Sequence, residues 1–342
     1  MQLWTDVFDP ADLTEFARKT LEETESANAK GSLTSFLPNE TVDSVSVRFT
    51  RVDNGLPEVA EYRAFDAESS IGGGVKGERV TIDLPPVSRK ERIGELDTIF
   101  AASNPGVELA QKKSILKTVE RVVRSVSDRV ELERARVIQT GRIQINDNGF
   151  IVNASMGRRT ENSKTAAVLW SDADLSVPLV DIEAWVNDYI AVNGTAPATT
   201  ILTRDVVSTL KRSKQIREAV VGTLAAPSII SDATLFEILR AAGLQNIVTY
   251  DRRVNVGGTT QLLLDSSNVL FLPEAETAEL GKTVWGRTAE SNDPAYSLGE
   301  APGIVAGTLK QDDPYGIWAR ANAVALPVLE NPNASMVAKV LA

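Results

Sequence analysis

The sequence predicts an α+β protein, and three observations carry that prediction. From Val107 the chain runs without proline or glycine until Gly141. Its apolar residues, Leu109, Ile115, Leu116, Val119, Val122, Val123, Val126, Val130, Leu132, Val137 and Ile138, recur with a period near 3.6, which means one long helix. On either side of that helix stand segments that alternate polar and apolar residues with a period of 2, which means strands. From 198 to 300, short helical stretches alternate with apolar strands, which means a compact α/β unit around a small sheet.

Taken in order, Asp9-Pro10-Ala11-Asp12 opens a first helix: Asp9 caps, Pro10 stands at the first position and Asp12 favours the dipole. Leu13, Phe16, Ala17 and Leu21 give it a narrow apolar stripe to about Glu25. Residues 1–30 carry seven acids and three bases. They read either as an extended acidic arm with a short amphipathic helix or as an ordinary edge helix. Val45, Val47 and Phe49 alternate as a strand, and Asp53-Asn54-Gly55 with Pro57 makes a turn. Ala60, Tyr62 and Ala64 read as a polar strand. Ser69 to Gly74 reads as a flexible glycine tip, and Val80, Ile82 and Leu84 as the returning strand before Pro85-Pro86. Together Pro57 to Pro86 read as a long two-stranded ribbon. An isolated ribbon is marginal in water, so this one needs its own domain or another subunit beside it.

Asn104, or Ser103, caps the long helix, Pro105 stands early, and Gly141 ends it at C′. Arg129 with Glu133 and Glu120 with Arg124 are spaced one turn apart and favour the helix. A heptad fails at Lys112, Arg129 and Glu133, so the helix reads as a spine with a sheet along one side and not as a coiled coil. Residues 106–142 carry nine Lys or Arg against five acids. That basic bias suits nucleic acid, the acidic N-terminal segment of a neighbour, or a solvated face with internal pairs.

Asp147-Asn148-Gly149 between the apolar runs Ile143–Asn146 and Phe150–Asn153 is a hairpin signal. Met156 to Lys164 reads as a polar connection. Ser176 is placed to cap a helix with the apolar face Leu179, Ile182, Trp185, Val186, Tyr189 and Ile190, stopped by Gly194 and Pro197. A buried strand follows at Thr200–Thr203, then helices from Arg204 and Lys214, and a helix from Ser231 or Asp232 to Ala242. Strands follow at Ile247–Tyr250, Val254–Val256, Gln261–Leu264 and Val269–Leu272. Late strands are expected at Gly303–Thr308, Tyr315–Ala319, Ala323–Leu326 and Met336–Leu341, packing back beside the spine.

With 342 residues, 43% of them hydrophobic, the chain has room for two domains. It contains neither cysteine nor histidine, which removes disulfides, thiol catalysis and the commonest general base and zinc ligand. The net charge of −10 argues against strong non-specific DNA binding by the free chain, though not against a local basic face. No apolar run approaches the ~20 residues of a membrane span, and Met1–Asp12 lacks a signal-peptide core. A soluble protein made in the cytoplasm is expected.

Motifs with chemistry fail one by one. Gly72 to Gly77 lacks the Gly-Lys-Ser/Thr ending of a phosphate loop, and Gly281-Lys282-Thr283 lacks the preceding glycine and reads as a turn. Asn146–Gly149 fails as a calcium loop at Gln144 and Ser155. Ser114-Ile115-Leu116-Lys117 has no Ser-Asp-Asn partner. No aromatic-basic stripe runs along the chain. No catalytic, cofactor-binding or metal residue is assigned, and no cofactor is expected. Trp4, in a segment with little local core, docks either onto a partner or back onto its own domain.

The order of parts resembles tailed-bacteriophage major capsid proteins with the Hong Kong 97 phage fold, most of all the lambda-type family. The residues that carry the resemblance are Met156-Gly157-Arg158-Arg159-Thr160-Glu161-Asn162, Trp170-Ser171, Asp181-Ile182-Glu183-Ala184, Ile201–Val206 and Ala325-Leu326-Pro327-Val328-Leu329-Glu330-Asn331-Pro332. The resemblance implies an HK97-like capsid fold with an N-terminal arm (1–30) and a strand with an extended β-ribbon, the E-loop (31–90). It implies a peripheral domain (91–197) with the spine helix 107–140, an α/β axial domain (198–300) and strands returning to the peripheral domain (301–342). It implies a non-enzymatic shell protein of the virion, assembled in the host cytoplasm as hexamers and pentamers. Expected partners are scaffolding protein, portal protein, a decoration protein and packaged double-stranded DNA held by weak contact, with no membrane. Some relatives cross-link Lys to Asn; the lambda-type does not depend on this, and Lys76 near the ribbon tip reads as a solvated lysine. The competing readings are a carboxylate- or metal-dependent enzyme, which requires a pocket of convergent acids, a monomeric binding module, which must cover the ribbon itself, and another self-assembling phage protein such as a tail tube.

Overall fold

The computed structural model describes residues 1–27, 32–52, 59, 62–66, 68, 77–94, 107–221, 227–298, 302–313 and 315–342. The chain forms two compact units, each assembled from three stretches of sequence.

The first unit comprises Met1–Arg48, Thr81–Arg134 and Lys282–Val328. Among the described residues its sheet has six strands, in the order Gln2–Leu3, Val305–Asp312, Tyr315–Leu329, Gly281–Trp285 and Asn39–Thr41, with Pro86–Ile93 pairing Tyr315–Leu329. The hairpin at its centre is antiparallel, Val305 opposite Asn322 through Asp312 opposite Tyr315. Strand Pro86–Ile93 is antiparallel to the same long strand, Ile93 opposite Ile317. Helix α1 (Pro10–Ala27) begins as its sequence requires, with the Ala11 N–H donating to Asp9 Oδ1 at 2.9 Å.

Helix α2 (Val107–Thr140) has 34 residues and is about 50 Å long. Its stripe of Ile115, Val119, Val122, Val123, Val126 and Val130 packs with Leu13, Ala17 and Leu21 of α1 on one face of the sheet. That face presents Ile317, Ala319, Ala321, Ala323 and Ala325, the alternate residues of the long strand. Four alanines in a row leave room for two helices to lie close to the strand.

The N-terminal segment folds back onto this unit. Gln2 and Leu3 pair with Lys310 and Leu309, and the Trp4 N–H donates to Thr308 O at 2.9 Å. The Thr308 hydroxyl donates back to Trp4 O at 2.7 Å. Of the two readings of Trp4, the chain adopts docking on its own unit.

The second unit comprises Phe49–Val80, Ala135–Gly281 and Leu329–Ala342. Its five-stranded sheet runs Asn246–Thr249, Thr199–Leu202, Asn268–Leu272, Met336–Lys339 and Ser163–Thr165. The outer pairings are parallel and the inner ones antiparallel. Helices α3 (Pro178–Asn193), α4 (Arg204–Leu210), α5 (Lys214–Val221) and α6 (Asp232–Ala241) supply Ile182, Trp185, Val206, Leu210, Ile216, Leu235 and Leu239 to one core with Phe271 and Met336. Trp170 stacks on Trp185 at 5.7 Å, and Trp185 meets Phe271 edge-on at 6.2 Å. The hairpin Arg142–Asp147/Phe150–Ser155 turns at Asn148-Gly149, both at positive φ (46° and 86°), as a two-residue Asn-Gly turn requires.

Four local readings need correction. The partner of Gly77–Asp83 is Ser46–Val52, not the expected strand near Tyr62 and Ala64. Tyr62, Arg63 and Ala64 are exposed and form no strand, and Ala60 and Glu61 lie outside the described residues. Ser176 does not cap α3, which starts at Pro178 with Val177 in the cap position and no side-chain cap. Gly281-Lys282-Thr283 is not a turn but part of a buried strand. Finally, Met336–Lys339 lies inside the sheet with Met336, Val337 and Ala338 all buried, so its apparent alternation does not separate a wet face from a dry one. The expected turn at 53–57, the glycine tip at 69–74, Lys76 and the cap at Ser103–Gly106 lie outside the described residues.

Candidate assembly surfaces

Two polar knots lie one in each unit, and one segment carries large apolar side chains in the open. The first knot is centred on Arg134, whose side chain is 0% exposed. On the helical period Arg134 continues the stripe Val123, Val126, Val130 and precedes Val137, so it points where the core lies. Its guanidinium has five donors in a planar fork. Nε donates to Thr283 Oγ1 at 2.8 Å, and Nη2 to Asn39 Oδ1 at 2.6 Å. Nη1 faces Glu25 Oε1 at 2.9 Å, Thr34 Oγ1 at 2.7 Å and Glu131 Oε2 at 3.1 Å. Glu131 in turn accepts from the Leu33 N–H at 2.7 Å, and the Thr283 hydroxyl donates to Leu37 O at 2.9 Å. Asn39 also donates to Glu25 and accepts from the Trp285 indole. One arginine thereby ties the end of α1, the turn at Leu33–Ser35, the strand at Asn39 and the strand at Thr283 to α2. The sequence assigns the charges of this helix to nucleic acid, to a neighbour's acidic segment or to a solvated face with internal pairs, and none of these is a buried knot. The missed signal was their phase: Arg134 and Glu131 fall among apolar positions.

The second knot holds residues of one sequence mark, Met156–Asn162. Arg158 Nη1 donates to Ile138 O at 2.6 Å and Nη2 to Gln139 O, so the side chain caps the last carbonyls of α2. Burial lowers this guanidinium to about 10, which leaves it charged at neutral pH. The Arg159 N–H and the Asn162 amide both reach Asn333 Oδ1, at 2.9 and 3.3 Å. Asn162 and Asn193 each donate to Asn333 O at 3.2 Å. Tyr189 donates to Ala334 O at 2.8 Å; burial first, then the charge of Glu279, raises its phenol above the ordinary value. Trp170 donates from its indole to Asp181 Oδ2 at 2.9 Å, joining two further marks. These residues serve the architecture.

The exposed apolar residues follow the strand Ser46–Val52 in sequence. Val59, Tyr62 and Phe65 are 86%, 107% and 101% exposed. Three large apolar side chains within seven positions, carried next to a polar two-stranded ribbon, form a surface that water disfavours. Among the described residues no group of three or more acids is placed to hold a metal ion, and no helix is long and apolar enough to cross a membrane.

The family model of the phage major capsid protein E matches residues 27–340. The chain belongs to that family. A search of curated proteins gives no match. Among solved structures the chain is similar to a protein assigned as the capsid protein of an Escherichia coli prophage, with 18% identity, a TM-score of 0.64 and coverage of 96% of this chain and 98% of that one. It is similar to a phage-related protein of Bordetella bronchiseptica, with 16% identity, a TM-score of 0.55 and 98% of each chain covered. A virus-like particle from Pyrococcus furiosus aligns at 13% identity and a TM-score of 0.50 over 96% of this chain and 98% of that one. At these identities the structures speak to the fold alone: it is the capsid fold named after the Hong Kong 97 phage. This capsid protein is thus a self-assembling shell subunit and not an enzyme. Arg158, Arg159 and Asn162 of one sequence mark lie in the second knot, while the exposed aromatic residues lie elsewhere.

Proposed function

We propose that this capsid protein forms hexamers and pentamers that close an icosahedral shell around phage double-stranded DNA. The observation that carries the reading is the near-complete exposure of Val59, Tyr62 and Phe65 beside a ribbon that buries little of itself. A neighbouring subunit supplies the missing contacts. In this reading 1–30 is the arm, 31–90 the strand and extended ribbon, and 91–197 the peripheral domain with its spine helix 107–140. Residues 198–300 are the axial domain meeting at the capsomer centre, and 301–342 return to the peripheral domain. Scaffolding protein and portal act during assembly, a decoration protein binds later, and the shell is built in the host cytoplasm.

The test is electron microscopy and size exclusion of the full chain beside a Tyr62→Ser/Phe65→Ser double variant. Shells or capsomer rings are expected from the parent chain. The variant is expected to assemble poorly at an unchanged melting temperature, since neither side chain is buried in the subunit. A parent chain that stays monomeric even with scaffolding protein defeats the proposal, and a variant that assembles like the parent removes the ribbon from the contact.

A further inference from the structure

The outer side of α2 carries an exposed basic stripe. Lys113, Lys117, Arg121 and Arg124 are all exposed, and on a helix of 3.6 residues per turn they share one side. The stripe is about 16 Å long, some five base-pair steps of duplex DNA. Arg89, exposed on the edge strand Pro86–Ile93, faces the same side of the sheet as α2, since it stands opposite Ala321. The acids facing this surface are few. Glu120 pairs with Arg124 at 2.6 Å, and Glu91 with Arg121 at 3.2 Å. Asp128, half-buried one turn on, closes the stripe. Among the described residues neither Lys113 nor Lys117 makes an ion pair, in a chain of net charge −10.

We infer that this stripe is the face that touches the phosphate backbone of packaged duplex DNA, with Lys113 and Lys117 as its free cations. Charge complementarity alone also suits an acidic polypeptide, and the chain's own acidic segment is the nearest example. That segment is already engaged: α1 is seated on its own sheet, and Glu25 is held by Arg134 at 2.9 Å. Cations carried singly on a convex helix suit phosphate contact without base readout. Such contact is weak and salt-labile, so a shell can hold its genome without gripping it. The inference rests on the shell reading and adds to it the residues that face the cargo.

The test uses the full chain and its Lys113→Glu/Lys117→Glu variant. Binding of a short labelled duplex is followed by anisotropy across a salt series, and shell formation is scored separately by microscopy. The parent is expected to bind at low salt, with log affinity falling linearly against log salt. In the variant that slope is expected to be shallower by about 2 while its melting temperature is unchanged. The inference is overturned if the parent does not bind duplex at low salt or if the variant keeps the parent slope. It is also overturned if the variant loses binding to labelled poly-glutamate but not to duplex. Failure of the parent to form shells counts against the shell reading; an unchanged slope in chains that do form shells counts against this inference alone.

Discussion

Arg134 occupies a place on α2 that the helical period reserves for an apolar side chain, and it is tolerated because five groups reach its donors. Removing it takes the arginine partner from the carboxylates of Glu131, which is 1% exposed, and Glu25. Arg134→Met is expected to cost about 3–5 kcal/mol in urea unfolding, the usual result of removing one partner of a buried ion pair. Changing the pair together, Arg134→Met with Glu131→Leu, is expected to recover a substantial part. Equal losses in both variants would show that the arginine acts through packing and not through charge. Tyr189 supports a prediction in pH. Its phenol is raised above 10.0, so above that pH the unfolded chain gives up a proton that the folded chain keeps. The contribution is complete below pH 10.0 and is lost as pH rises towards the folded value. Melting temperature is therefore expected to fall above about pH 10 in the parent and more gently in Tyr189→Phe. At neutral pH the phenylalanine variant is expected to be less stable by about 1–3 kcal/mol, because Ala334 O loses its donor. Parallel alkaline curves for the two proteins would contradict this account.

At the scale of elements, α2 was legible because its signals are local: the 3.6 period, the absence of breakers and Gly141 at φ 64° where the helix must stop. A Cβ at Gly141 would stand 2.9 Å from Arg158 Cβ, so the glycine also admits the arginine that caps the helix. The long strand Tyr315–Leu329 shows the opposite case. Two strands, Tyr315–Ala319 and Ala323–Leu326, are expected from the sequence where one runs unbroken, and the smallness of its alternating alanines lets α1 and α2 lie on the sheet. Ala321→Leu is expected to destabilise by about 1–3 kcal/mol by overpacking, read as a lower urea midpoint at unchanged slope. A neutral result would mean that the helices yield at this point. Of the expected ribbon, the returning strand Gly77–Asp83 lies among the described residues, and it pairs with Ser46–Val52 and not with a strand near Tyr62. Alternation at Ala60, Tyr62 and Ala64 matched the period without an apolar face to bury, whereas Ser46–Val52 places Val47 and Phe49 in the core.

For the whole molecule, both units are stitched from three distant stretches, and Arg158, Arg159 and Asn162 of one sequence mark take part in the stitching. Asn162 and Asn333 meet across 171 positions, Arg134 and Thr283 across 149. The surfaces offered for assembly are different in kind. Tyr62 and Phe65, exposed in the single subunit, are expected to fail first in shell formation and last in melting.

The sequence by itself determined the helices, most strands, the caps at Asp9 and Ser231, the turn at Asn148-Gly149 and the lack of thiol and imidazole chemistry. Each of these follows from residues within a few positions of one another, where period, backbone freedom and side-chain type act directly. Tertiary structure alone decided that Thr283 lies in a buried strand, that Ser46–Val52 pairs with Gly77–Asp83, that the N-terminal segment sits on its own sheet and that Arg134 and Glu131 are buried. Those outcomes depend on partners far away in sequence. A charge is stable inside a protein only where the fold brings enough hydrogen-bonding groups to it, and no local pattern states that they will arrive.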